Sequence, residues 1–180
     1  CSSDLNAKAV NFGIIYGETP YGLSTALDFT VKESKAFIDA YFERYVGVKE
    51  YIEKTLLETK TRKYITTLLG RRRYFPDIDS PNPNVRKFSE RAAINAVMQG
   101  TSSDIIKKAM IAICRKRNER MLNFRLLLQI HDELIFEVPE SGSEEIQELI
   151  RTEMVSAVAL NVPLKVDISL GKNWLNPLTP

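Results

Sequence analysis

Four sets of residues in this sequence combine side-chain types and spacings that could act on a phosphorylated or polymeric substrate. Lys8, Phe12 and Tyr16 recur every four positions, so on a helix a cation, an aromatic ring and a phenol line one face. The lysine offers a charge for phosphates, and the rings offer flat surfaces against which a sugar and base can pack. Arg91, Asn95 and Gln99 repeat the same step, as a polar row among Ala92, Ala93, Ile94, Ala96, Val97 and Met98. Long hydrogen-bonding side chains in such a row can reach the N3 and O2 acceptors of a DNA minor groove, which vary little between base pairs. Gly70-Arg71-Arg72-Arg73-Tyr74 sets an arginine cluster between a glycine turn and an aromatic, a composition suited to phosphates. His131-Asp132-Glu133 occupies a turn so tight that Gly or Asn would be the ordinary choice, although His and Asp tolerate positive φ.

Plainer explanations stand beside each. The first row also describes an amphipathic helix with a snorkelling lysine. The second describes hydrogen bonding between helices, the third a solvated basic surface, and the fourth an exposed turn.

The elements that must position these residues are legible from periodicity and punctuation. A short helix over Lys8 to Tyr16 stops near Gly17, and a second runs from the Thr19-Pro20-Tyr21-Gly22 turn to Asp28. Thr30 with Glu33 forms a T-x-x-E capping box, followed by Phe37, Ile38, Tyr41, Phe42 and Tyr45 at helical spacing. This predicts a helical hairpin bending near Gly47 and giving way at Tyr64 to Thr67 to a strand that Gly70 ends. Pro76 to Asn84 is the clearest linker, and a long helix follows from about Val85 to Arg120, with Gly100 as a candidate kink. Phe124 to Val138 reads as a β-hairpin turning at His131-Asp132. A helix from Ser143 to about Ala159 and a strand from Leu164 to Ser169 complete a helix-rich α+β arrangement. The linker divides the chain into 1–80 and 81–180.

With 180 residues and 44% hydrophobic content, the chain can bury its own core. The net charge of +2 hides a polarised distribution. Arg62 to Arg91 holds eight Lys/Arg against three Asp/Glu, Lys107 to Arg125 seven against one, and Asp132 to Glu153 one against eight. A polyanion would approach the middle of the chain. Cys1 and Cys114 lack the spacing of a zinc site or a disulfide framework. No apolar run reaches the roughly 18–20 residues of a membrane helix, and no leader opens the chain, so it reads as soluble and cytosolic.

Taken together, the motifs resemble those of the A-family DNA polymerases of the bacterial polymerase I kind, from Lys8 to about Trp174. Lys8-Ala-Val-Asn-Phe12-Gly-Ile-Ile-Tyr16-Gly17 is similar to the family's nucleotide-binding finger helix, K-x3-F-x3-Y-G. Leu69-Gly70-Arg71-Arg72-Arg73-Tyr74 resembles its L-G-R-R-R-Y segment, and Glu90-Arg91-x3-Asn95-x3-Gln99-Gly100-Thr101 its duplex-contacting helix. Leu128-Gln129-Ile130-His131-Asp132-Glu133-Leu134 resembles its catalytic hairpin.

The resemblance implies a partial fingers subdomain over 1–80 and the C-terminal part of the palm over 81–180. Lys8 would bind the incoming triphosphate, Phe12 pack on its sugar and Tyr16 sit by the templating base. Arg71, Arg91, Asn95, Gln99 and His131 would contact primer-template DNA. Asp132 would ligate Mg2+ and Glu133 support it. The implied activity is template-directed deoxynucleotidyl transfer to a primer 3′ end by two metal ions, in DNA replication or repair in the bacterial cytosol and nucleoid. Its partners would be primer-template DNA, deoxynucleoside triphosphates and the remainder of a polymerase chain, with no membrane. Two departures stand out. Asp4 occupies the place of a family arginine, and no segment resembles the D-Y-S-Q-I-E-like strand carrying the family's other aspartate. The chain is therefore expected to have little or no activity alone. A non-catalytic nucleic-acid-binding module and a metal phosphoesterase built on Asp132 and Glu133 are the alternatives.

Overall fold

The computed structural model describes residues 10–27, 29–173 and 177–178. Lys8 and Asp4 lie outside them. The chain divides into two compact units, Cys1–Gly100 and Thr101–Pro180, each with its own apolar cluster. The architecture is helix-rich α+β with small antiparallel sheets, as the periodicity predicts.

In the first unit, α1 is helical over residues 10–15, and the chain leaves it through Gly17 at φ 78. Pro20 opens α2 (Pro20–Leu27), in keeping with its preset φ and missing N–H at a helix start. Thr30 caps α3 (Val31–Arg44). Its hydroxyl accepts from the Glu33 N–H, and the Glu33 carboxylate accepts from the Thr30 N–H at 2.8 Å, closing the capping box. The bend before α4 (Val46–Arg62) falls at Tyr45, two residues ahead of Gly47. Much of the hairpin's aromatic stripe stays accessible, with Phe37 42% and Tyr45 51% exposed. Helical spacing identifies the stripe but cannot say what covers it.

After α4 the chain forms β1 (Tyr64–Thr66) and β2 (Arg72–Tyr74), paired antiparallel with Tyr64 opposite Tyr74 and Ile65 opposite Arg73. The second strand is absent from the sequence reading because three arginine-rich residues carry no apolar alternation. Gly70, at φ 86, turns between the strands rather than ending an isolated one.

The 75–82 segment leads into α5 (Pro83–Glu119), which starts two residues before Val85. Pro83 takes the first helical position and Asn82 Oδ1 accepts from the Asn84 N–H at 3.0 Å. Ala93 and Ala96 of α5 pack with Ile65, Phe75 and Ile78 into the core of this unit. Their small side chains let the strands and the 75–78 turn lie close to the helix. The helix runs through Gly100 as one element. A Cβ on Gly100 would lie 2.6 Å from Thr67 Cγ2, which makes this glycine a point of close approach.

In the second unit, β3 (Arg125–Ile130) and β4 (Glu133–Glu137) form the predicted hairpin, with a register shift between Leu126 and Leu128. Phe124 packs with Ile113 and with Ile146, Leu149 and Ile150 of α6 (Ser143–Val155), flanked by Leu134, Phe136 and Val138. α6 ends at Val155, short of Ala159. The strand expected over Leu164 to Ser169 does not form. A strand needs a ladder partner; among the described residues the segment has none, and its Val166 carbonyl accepts instead from Arg151 Nη1 at 2.8 Å. The C-terminal pairing is shorter and later, β5 (Leu170–Gly171) with β6 (Pro177–Leu178).

Candidate nucleic-acid interface

The site is best built from α5. Its positions 88, 91, 92, 95 and 99 follow three- and four-residue steps and so share one helix face, while Ala93, Ile94 and Ala96 turn into the core. Phe88, Arg91, Ala92, Asn95 and Gln99 line a cleft of about 360 Å³ together with Tyr16, Glu18 and Arg73. Two rows separated by some 75 positions in sequence, one ending at Tyr16 and one running from Arg91 to Gln99, thus meet in one concave surface. That volume lies in the range of pockets that take a single small ligand.

Phe12 and Tyr16, one helical turn apart, present their rings 5.9 Å apart at an interplanar angle of 20°, with Phe12 55% exposed. Aromatic rings of this kind offer flat surfaces on which a sugar or base can stack. The Asn95 Oδ1 is buried and, among the described residues, has no hydrogen-bond partner. An orphaned acceptor of this kind costs about 1–3 kcal/mol until a donor reaches it. The charged members are Arg73, Arg91 and Glu18. The Glu18 carboxylate occupies the space a Cβ on Gly22 would need, in the first turn of α2, where the helix dipole favours negative charge.

The three consecutive arginines part company. Arg71 Nη2 donates to the Gly100 carbonyl at 2.9 Å, which docks the turn after β1 onto α5. The Arg72 guanidinium stacks 4.8 Å over the Tyr64 ring. Arg73 lies 5.3 Å over buried Phe75 and faces the cleft. Of the three, Arg73 is the one placed beside Arg91, Asn95 and Gln99.

His131, Asp132 and Glu133 form the exposed tip of the β3–β4 hairpin in the second unit. His131 takes φ 53, and its carbonyl accepts from Gln129 Nε2 at 3.2 Å. His131 and Asp132 thus occupy a turn that intrinsic preference would give to glycine or asparagine. Among the described residues neither carboxylate takes part in an ion pair, and no group of three or more His, Cys, Asp or Glu side chains comes together. The donor set fits one flank of a divalent cation and is too small to hold two.

Phe88, Glu18 and Arg73 lining the cleft were not singled out from sequence. Phe88 could have been found by extending the Arg91 row back three residues along the same face. Arg73 was hidden in a cluster whose members composition cannot separate, and Glu18 depends on the turn after α1, which no periodicity describes.

Among the described residues, no helix is long and apolar enough to cross a membrane. The family model described as DNA polymerase family A matches residues 5–176. DNA polymerase I of Bacillus subtilis (strain 168) is 53% identical over 168 residues, covering 93% of this chain and 19% of that protein. DNA polymerase I of Lactococcus lactis subsp. cremoris (strain MG1363) is 47% identical over 169 residues, covering 94% of this chain and 19% of that one. A solved structure, the POL domain of Pol1 from M. smegmatis in complex with DNA primer-template and dNTP, superposes with a TM-score of 0.90 at 42% identity, over 94% of this chain and 30% of that chain. The chain thus spans about a fifth of the length of these relatives. With the family model matching residues 5–176, nearly its whole length, the chain belongs to DNA polymerase family A.

Proposed function

We propose that this chain supplies the nucleotide- and duplex-gripping part of a DNA-directed DNA polymerase, acting in the bacterial cytosol on primer-template DNA and deoxynucleoside triphosphates. The observation that carries the reading is the shared cleft, in which Tyr16 meets Arg91, Asn95 and Gln99. Lys8 would take the triphosphate and Phe12 the sugar, while Tyr16 sits by the templating base. Arg91, Asn95 and Gln99 would hold the duplex through groove acceptors common to all base pairs, as an enzyme indifferent to sequence requires. Arg71 would contribute to DNA binding indirectly, by holding its turn against α5. Residues 1–80 would serve as fingers and 81–180 as palm.

At the hairpin tip, Asp132 with Glu133 beside it would hold one flank of Mg2+, and His131 would contact the primer end. The ion, when bound, neutralises charge on the transferred phosphate. Two carboxylates are too few for a two-ion site, so the remainder of a polymerase chain is the implied partner and the chain alone is predicted to be catalytically silent.

Extension of a labelled primer-template with magnesium and all four deoxynucleotides tests this directly. No extension by the chain, with salt-sensitive binding of the same DNA, is the expected result. Steady extension abolished by Asp132→Ala would show that a complete catalytic set is present and overturn the silent-chain reading. Loss of DNA binding at all salt concentrations would overturn the polymerase reading of the cleft.

A further inference from the structure

Arg91 differs from several other arginines of the chain in how it is held. Arg71 and Arg86 donate to backbone carbonyls, and Arg62 and Arg125 pair with Glu58 and Glu137. Among the described residues, no ion pair or hydrogen bond engages the Arg91 guanidinium, although it lines the cleft and the residue is only partly exposed. Gly17 lies beside its stem. A Cβ built on Gly17 would stand 3.0 Å from Arg91 Cγ, closer than side chains normally approach, and 3.5 Å from Cδ, at ordinary van der Waals distance. Gly17 follows Tyr16 directly and leaves α1 at φ 78, with its N–H donated to the Ile14 carbonyl at 3.1 Å.

We propose that Gly17 is a positioning residue for Arg91: its bare backbone forms the seat on which the arginine stem rests, so that the end of the nucleotide helix sets where the guanidinium meets the DNA. This rests on the polymerase reading of the cleft given above. A long side chain without a polar anchor loses rotamer freedom only where packing restrains it. Here the restraint comes from the C-terminal turn of α1. A displacement of that turn is passed to a residue of the duplex row through one van der Waals contact.

A glycine at positive φ can be required for conformation alone, so the test must separate strain from bulk. Gly17→Asn does so, because asparagine tolerates the left-handed region while still bringing a Cβ into the Arg91 stem. Primer-template affinity is measured by fluorescence anisotropy for the chain, Gly17→Asn, Arg91→Ala and the double variant, each first checked for a cooperative melt. Gly17→Asn is expected to weaken binding by a factor comparable to Arg91→Ala, on the order of tenfold for one charge-assisted contact. The double variant should be no weaker than Arg91→Ala alone. Fully additive losses, or unchanged affinity for Gly17→Asn, would overturn the proposal. An Arg91→Ala variant that binds as well as the unmodified chain would instead overturn the duplex-row assignment itself. A second readout needs no substitution. The Arg91 Nε–H order parameter in the free chain should stay above the flexible range, whereas a value below about 0.6 would mean that nothing seats the stem.

Discussion

At the scale of single residues, neighbours in sequence divide their labour according to which face of a short strand they occupy. Arg72 and Arg73 point to opposite sides of β2 because successive strand residues alternate, so one stacks on Tyr64 and the other reaches the cleft. Arg71, just before the strand, is drawn to the Gly100 carbonyl. The glycine is what allows that approach, and two opposing effects decide the outcome of filling it. Alanine is favoured over glycine in a helix by about 1 kcal/mol. Forcing a Cβ to within 2.6 Å of Thr67 Cγ2 costs about 1–3 kcal/mol. Gly100→Ala should therefore lower the melting temperature by a few degrees, at roughly 2–4 °C per kcal/mol. Adding Thr67→Ser, which keeps the hydroxyl that accepts from the Arg71 N–H and removes the offending methyl, should restore it. A Gly100→Ala chain that melts higher than the original would contradict the close approach.

At the scale of elements, what was legible follows from local rules and what was missed depends on partners. The capping box, the long helix and the β3–β4 hairpin were readable because Thr30 with Glu33, the apolar face of α5 and the alternating runs beside His131-Asp132 carry their own signals. The candidate rows were readable for the same reason, since Arg91, Asn95 and Gln99 share a face on any helix. β2 was missed because its residues only become a strand opposite Tyr64 to Thr66. Leu164 to Ser169 was over-read because alternation alone does not provide a ladder partner. Likewise, no motif announced that Tyr16 and Arg91 would line one cleft, a fact that depends on how α1 returns toward α5.

The capping box yields a pH prediction. The Thr30 hydroxyl, and then its backbone N–H, hold the Glu33 carboxylate below its ordinary value of 4.5. A depressed carboxylate contributes stability that is present above its unfolded pKa and is lost as the pH falls through its folded one. Thr30→Ala should cost about 1 kcal/mol near neutral pH. That penalty, read from urea midpoints, should shrink as the pH falls below the ordinary carboxylate range and Glu33 gains its proton. Asp79, lowered from 3.8 by its hydrogen bond and ion pair with Lys63, should lose its contribution in the same direction. A penalty for Thr30→Ala that is unchanged over this range would mean that the Glu33 carboxylate does not act with the cap.

At the scale of the molecule, charge is unevenly distributed despite the small net charge of +2. The basic runs Arg62 to Arg91 and Lys107 to Arg125 would suit a polyanion, and the acidic stretch after Asp132 follows the hairpin that would hold a cation. Binding should therefore be electrostatic in strength, falling nearly linearly in log affinity with log salt. On the proposed reading it should also be indifferent to base sequence, because the row would address common groove acceptors. The most direct test of this account is a titration of labelled primer-template DNA with the chain and with an Arg91→Ala, Asn95→Ala, Gln99→Ala triple variant across a salt series. The account predicts salt-sensitive binding that the triple variant weakens by at least about tenfold, from the loss of one charged and two neutral contacts, with a salt slope shallower by about one contact for the lost arginine. Equal affinity and an equal slope for the two proteins would contradict it, because the cleft that unites Tyr16 with the α5 row would then not be where this chain meets DNA.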